Sequence, residues 1–241
     1  IRYDYDGQWL FAALLPIRDP RAADWHPSVG TPGSTAREAA EWLHERRLAH
    51  PPGAVMAHHI DSHDSFWGHA LFRRQVFGPD AWRPCFALCA LIEGCIMHYI
   101  GGEQGNEDFV RRVMHLRDEL PEMNGGACDY TAVCSDDDMV FSPLRSQGAL
   151  HTIPVISFRG EATRVTLSLP VERMALAAGG YTVFDALGEV LLESADGPRW
   201  DRAALGRIEL ALPPYGVAVL VLRPVGGTPP PAPLPGDVAM A

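Results

Sequence analysis

The sequence holds no run of Lys or Arg, no long apolar stretch, no paired CxxC and no internal repeat. Each absence removes a class of protein. Twenty basic residues against thirty acidic ones give a formal charge of −10, and without a basic run the chain cannot track a phosphate backbone or an anionic membrane. Nucleic acid is therefore not an expected partner. The most apolar stretch, Cys85 to Ile92, falls far short of the roughly 20 residues that a spanning helix needs, and the start does not read as a signal peptide. A membrane is excluded as a partner on the same ground, and the expectation is a soluble, cytoplasmic chain. The five cysteines, Cys85, Cys89, Cys95, Cys128 and Cys134, are odd in number, lack zinc-site spacing and are expected to be reduced core residues. Neither HExxH nor HxHxDH occurs.

What is present is enough apolar residue, 47% of 241, to bury a substantial core. Ile1 opens directly into "IRYDYDGQWLF", which reads as folded sequence and suggests a fragment or a processed chain. From residue 34 to 120 two patterns alternate. "STAREAAEWLHERRLAHPP" begins with a T-x-x-E capping box at Thr35 and Glu38, carries Ala36, Ala39, Ala40 and Leu43 on one face, and stops at Pro51, as a helix does. "AVMAHHI" reads as a buried parallel strand, and "AWRPCFALCALIEG" as a helix that is apolar nearly all round, with Pro84 in its first turn. "CIMHYI" reads as another short strand, and "DFVRRVMHLRDEL" as an amphipathic helix with Phe109, Val113, Leu116 and Leu120 on its stripe. With "IRYDYD" as a first strand, the order is strand and helix three times over, a parallel α/β segment. Asp4 and Asp6 read as acids of a solvated loop.

Beyond "PEMNGGA" the texture changes to short β-rich runs, "YTAVCS", "MVFSPLR", "TIPVISF", "RVTLSLP", "YTVFDAL", "EVLLES", "RIELAL" and "GVAVLVLR", separated by Gly, Pro and Asp turns. That spacing predicts an antiparallel β-sandwich. The fold class expected is therefore α/β plus all-β, with residues 1–125 forming the α/β unit, 126–224 the sandwich and 225–241 a disordered Pro/Gly-rich tail.

The densest chemistry lies in "HHIDSHDSFWGH", residues 58 to 69, which holds four of the ten histidines. It follows a parallel strand, the end at which α/β units carry their active-site loops. His58, His59, Asp61, His63 and Asp64 are of metal-ligand type, and His59, Asp61 and His63 would share a face on an extended chain, but the spacing matches no metallohydrolase pattern. A polar strand end that caps neighbouring loops is the plain alternative. Phe66 and Trp67 read either as a stacking surface for a ring or as ordinary loop packing.

A third reading comes from motifs in order. His59 to Asp64 resembles the strand-7 motif of the α-amylase family of glycoside hydrolases and transglycosylases, aromatic-x-acid-Asn-His-Asp, matching its acid, His and Asp and departing at Ser62 and His59. Tyr99, Gly101, Glu103 and Gly105 fit the family's Tyr-x-Gly-x-Glu-x-Gly after strand 8, and "LRDELPEMNGG" and "PPYGVAVLVL" follow in the expected order. The arginine that many members carry shortly after the His-Asp pair is absent, which leaves the subfamily open. The resemblance implies that the α/β unit is the last three strand–helix units of a partial (β/α)8 barrel, followed by the family's C-terminal sandwich. It implies that Asp64 is the catalytic carboxylate that stabilises the transition state, with His63, Asp61 and Glu103 binding an α-glucan or α-glucoside. No cofactor and no metal are implied. The nucleophile and the acid/base would lie upstream, in the other part of the same barrel, and this part alone would not turn over substrate; the alternative is a non-catalytic, carbohydrate-associated β-sandwich protein with a vestigial α/β arm.

Overall fold

The computed structural model describes residues 2–3, 7–16, 33–62 and 71–227. Three short parallel strands, β1 (Arg2–Tyr3), β2 (Met56–His58) and β3 (Cys95–Ile96), lie side by side in the order β1-β2-β3. Registers run Tyr3 to Ala57 and His58 to Ile96. The helices around them are α1 (Gly7–Leu14), α2 (Ala36–Leu48), α3 (Arg73–Phe77), α4 (Pro79–Leu91), α5 (Glu107–Glu119) and the single turn α6 (Pro121–Asn124). No described helix is long and apolar enough to cross a membrane.

Local chemistry explains most of these boundaries. Thr35 Oγ1 accepts the Glu38 N–H at 3.2 Å while Glu38 Oε2 accepts the Thr35 N–H at 2.8 Å, so the expected capping box starts α2, whose buried face is Ala36, Ala39, Ala40 and Leu43. In α4 every residue from Ala81 to Leu91 is buried except Arg83. This helix begins earlier than its apolar run suggests, with Pro79 in its first turn, so Pro84 lies in the interior and leaves the Asp80 carbonyl without a helical donor. Arg117 of α5 closes the other end by donating to the carbonyls of Ala90, Ile92 and Gly94. The helix α1 was not legible: "GQWLFAALL" has no clear period, yet it places Phe11, Leu14 and Leu15 in the main core. Asp4 and Asp6 lie outside the described residues.

The β-rich region is antiparallel throughout. Strands β4 (Ala127–Asp129), β6 (Val140–Phe141), β7 (Leu144–Gln147), β8 (Leu150–Ser157), β10 (Tyr181–Asp185), β11 (Val190–Leu192) and β13 (Val217–Pro224) form one sheet, ordered β11-β10-β13-β8-β7-β4 with β6 on β8. Strands β5 (Cys134–Ser135), β9 (Thr163–Ser168) and β12 (Arg207–Leu212) form a second, with the short helix α7 (Arg202–Leu205) before β12. Side chains alternate along the central strands. Ile153, Val155, Ala218, Leu220 and Leu222 enter a core shared with Val165, Leu167 and Ile208 of the small sheet. Ile156, Val219 and Val221 point the other way, into a core shared with α1, α2 and α4. Burial on both faces is why "VAVLVL" is a continuous apolar run and not an alternating one. The larger core therefore crosses residue 125 without a break.

Polar groups cross it too. Glu122 of α6 is wholly buried, pairs with Arg223 of β13 at 2.7 Å and accepts from Thr152 of β8. Arg145 of β7 donates to the carbonyls of Glu122, at 3.0 Å, and Met123, at 2.7 Å. All five cysteines are free; Cys85, Cys89 and Cys128 are core residues as expected, Cys95 is half-buried, and Cys134, on the narrow strand β5, is exposed. Residues 225–227 form a turn, and the remainder of the expected tail lies outside the described residues.

Candidate active site

The chemistry-bearing segments are the two that leave the carboxyl ends of β2 and β3. After β2 the backbone runs inward: His59, Ile60, Asp61 and Ser62 are all buried. His58 is buried as well, and its Nε2 lies 2.9 Å from the Glu93 carbonyl oxygen. Asp61 is the hub. Its Oδ1 accepts the Arg73 N–H at 2.8 Å, which satisfies a first-turn donor of α3, and its Oδ2 lies 3.5 Å from the Trp82 indole nitrogen of α4. Burial pushes the Asp61 carboxyl pKa above its usual value, against the pull of the Arg73 amide and guanidinium, the Trp82 indole and His98. Gly102, from the loop after β3, closes over the same carboxylate: a Cβ there would sit 2.8 Å from Asp61 Oδ2.

The second segment is organised by Glu103. Its Oε2 accepts the Gly101 N–H at 2.7 Å and lies 2.8 Å from His98 Nε2, while its carbonyl accepts the Asn106 N–H at 2.6 Å at the entry to α5. Partial burial acts to raise the Glu103 pKa, but hydrogen bonds from its own amide, His98 and Gly101 outweigh it, and the carboxyl is held below its usual range. Arg74 of α3 donates to the Gly101 carbonyl at 3.3 Å and to Gln104 Oε1 at 2.5 Å, tying this loop to the segment after β2. The rings of Phe72 and Tyr99 meet at 5.9 Å, and His98 stands edge-on to Phe86 at 5.8 Å.

The two loops thus lie together at one end of the parallel sheet, with Asp61 inside and Glu103 nearer the surface. His63 and Asp64, and with them Phe66 and Trp67, lie outside the described residues. Among the described residues no group of three or more His, Cys, Asp or Glu side chains converges as metal ligands would. The described carboxylates anchor backbone: Asp61 holds the start of α3, with Gly102 of the loop after β3 packed against it, and Glu103 folds its own loop. Arg73, Arg74, Trp82, His98 and Gly102 complete this arrangement and were not singled out from the sequence. The proximity of "FRRQ" to "HIDSHD" was the one signal available for the arginines; Trp82 and Gly102 carried none.

No protein-family model matches the sequence, and no curated protein matches it. Solved structures do. The chain is similar to a maltogenic alpha-amylase from Thermotoga neapolitana, at 14% identity and a TM-score of 0.62, over 91% of this chain and 50% of that one. It is similar to the alpha-amylase from Geobacillus thermoleovorans solved with acarbose, at 16% identity and a TM-score of 0.64, over 92% of this chain and 47% of that one. A debranching enzyme from Nostoc punctiforme, soaked with acarbose, aligns at 16% identity with a TM-score of 0.57, over 92% and 44%. The chain thus shares its mixed α/β and antiparallel fold with part of these glycoside hydrolases, and it spans about half the length of the structures it matches.

Proposed function

We propose that this chain is the C-terminal part of an α-amylase-family enzyme that hydrolyses or transfers α-glucosidic bonds. The carrying observation is the coincidence of two independent lines. The strand-7-like and strand-8-like motifs leave the same end of adjacent parallel strands, and the fold around them is the one shared with solved amylases. On this reading residues 1–125 are the last three strand–helix units of a (β/α)8 barrel, residues 126–224 the C-terminal sandwich and 225–241 an appended tail. The open edges of β1 and β3 are where the upstream strands of the same barrel would pair.

The roles follow from the chemistry of a flattened, positively charged sugar ring. Asp64 stabilises that charge and grips ring hydroxyls, and His63 binds the same sugar. Asp61 and Glu103, expected to contact substrate, serve it through the loops they hold, with Glu103 the nearer of the two to an arriving ligand. A retaining mechanism needs a nucleophile and an acid/base about 5 Å apart, and both belong to the upstream strands. The chain by itself is then inactive.

The experiment is Asp64→Asn in the complete enzyme. The substitution keeps shape and removes charge, so kcat should fall by about 10²- to 10³-fold or more while KM changes little. Near-normal kinetics in that variant would remove Asp64 from the role, and turnover of a chromogenic α-glucoside by the isolated chain would mean that the strands are misassigned and that Asp4, Asp6 or another acid of this chain is the nucleophile.

A further inference from the structure

Where α2 lies against β5 and β6, the α/β unit and the sandwich leave a cleft of about 210 Å³ between them. Both of its walls are described elements, so it is not an edge at which further barrel strands would pair. From α2 come Ala36 and Ala40, and from the sandwich Val133, Val140 and Phe141, which makes the lining mostly apolar. Ser142 is the exception. It lines the cleft and is 4% exposed, and its Oγ has no hydrogen-bond partner among the described residues. The other hydroxyls of the lining are engaged: Tyr130 with Glu93, Thr131 with Asp129, and Ser135 with the Asp137 N–H. A buried hydroxyl without a partner is a standing cost, and a ligand that supplies the partner removes it. Three charged side chains also line the cleft, and two are committed. Arg37 donates to the Ser135 carbonyl at 3.0 Å and pairs with Asp138 at 2.7 Å, while Asp137 accepts Arg159 Nε at 2.5 Å and the Met139 N–H at 2.9 Å. Glu41, exposed at the rim, pairs with nothing among the described residues.

We propose that this cleft is a binding site for a small aromatic amine that carries a hydroxyl, a hydroxyphenyl-alkylamine such as tyramine. The ring packs between α2 and the sandwich, the ligand hydroxyl takes Ser142 Oγ, turned about χ1, as its partner, and the ammonium stays in solvent beside Glu41. The site is separate from the loops after β2 and β3 and does not depend on the glycosidase reading. Its size suits one ring, since the cleft lies below the roughly 300–1,000 Å³ of a pocket for a larger ligand. A glucosyl unit is the wrong chemistry here. It carries hydroxyls around its ring, the lining has one uncommitted hydroxyl to meet them, and the rest would be buried without partners.

The test titrates the 241-residue chain, ¹³C-labelled at its methyl groups, with tyramine. The Ala40 and Val140 methyl signals, one from each wall, should shift and saturate together, and alkylation of Cys134, the exposed thiol on the same cleft, should slow by about fivefold or more near saturation. Ser142→Ala deletes a hydroxyl that has no partner, so it should fold as the parent chain does, and it should bind tyramine about fivefold more weakly, the effect of one hydrogen bond. Phenethylamine, which lacks the hydroxyl, should bind the parent chain more weakly by about the same factor and should not distinguish it from Ser142→Ala. Glu41→Gln should weaken tyramine by about two- to fivefold at low salt. Maltotriose should leave both methyl signals unmoved. Unshifted methyl signals with tyramine, unslowed alkylation of Cys134, or equal tyramine affinity in Ser142→Ala would each overturn the site, and saturable shifts with maltotriose would overturn the ligand chemistry assigned to it.

Discussion

Removing the Glu122 carboxylate should destabilise the protein far more than its place in a one-turn helix suggests. Glu122 is wholly buried, and its Oε1 receives both Arg223 Nη2, at 2.7 Å, and the Thr152 hydroxyl. Arg223 is itself buried, and without Glu122 its acceptors among the described residues are the carbonyls of His151, at 3.3 Å, and Leu222, at 3.1 Å. Breaking a buried pair by deleting one partner costs about 3–5 kcal/mol, because the remaining charge stays desolvated. Glu122→Ala should therefore lose about that much, and Glu122→Gln, which keeps an acceptor oxygen but not the charge, about 1.5–3 kcal/mol. The double replacement Glu122→Met, Arg223→Met should recover most of the loss, since neither member of the pair is left without the other. Recovery is favoured further because Glu122 Oε2, which finds no hydrogen-bond partner among the described residues, is removed with the pair. Urea denaturation measures all three, with the midpoint falling at constant m if the native state alone is affected. A single Glu122→Ala variant within about 1 kcal/mol of the parent protein would refute the reasoning, and so would a double variant as unstable as the sum of the single ones.

Two further outcomes follow from the loops. Gly102→Ala meets Asp61 Oδ2 at 2.8 Å and the Tyr99 carbonyl at 3.3 Å, so it should destabilise by about 1–3 kcal/mol; an unchanged thermal midpoint would mean that Asp61 moves aside freely. The Glu103 pKa is lowered in the folded state, so its contribution to the β3 loop is present above the usual carboxylate range and is lost as the pH falls through the lowered value. The Gly101 amide shift should report that transition. It should move to higher pH in His98→Ala, which removes one of the donors; an unmoved transition would take His98 out of the pairing.

By itself the sequence determined those features whose cause lies within a few residues. The capping box at Thr35 and Glu38, the stripe of α5, the turn-separated strands and the order of the motifs at His59–Asp64 and Tyr99–Gly105 are all local, and each was legible. Local pattern failed where apolar residues lacked a period, as in α1. It also misplaced the start of α4, because Pro84 resembles a first-turn residue until Pro79 is seen to hold that place. Tertiary structure alone decided the rest, since the partners are far apart in the chain. Asp61 is closed in by Arg73, Trp82 and Gly102, and Glu122 lies beside Arg223, 101 residues away, and neither environment is written in the residues next to it. Whether a polar side chain faces solvent or a buried partner depends on burial and on long-range pairing, and neither is encoded within the window that a local pattern spans.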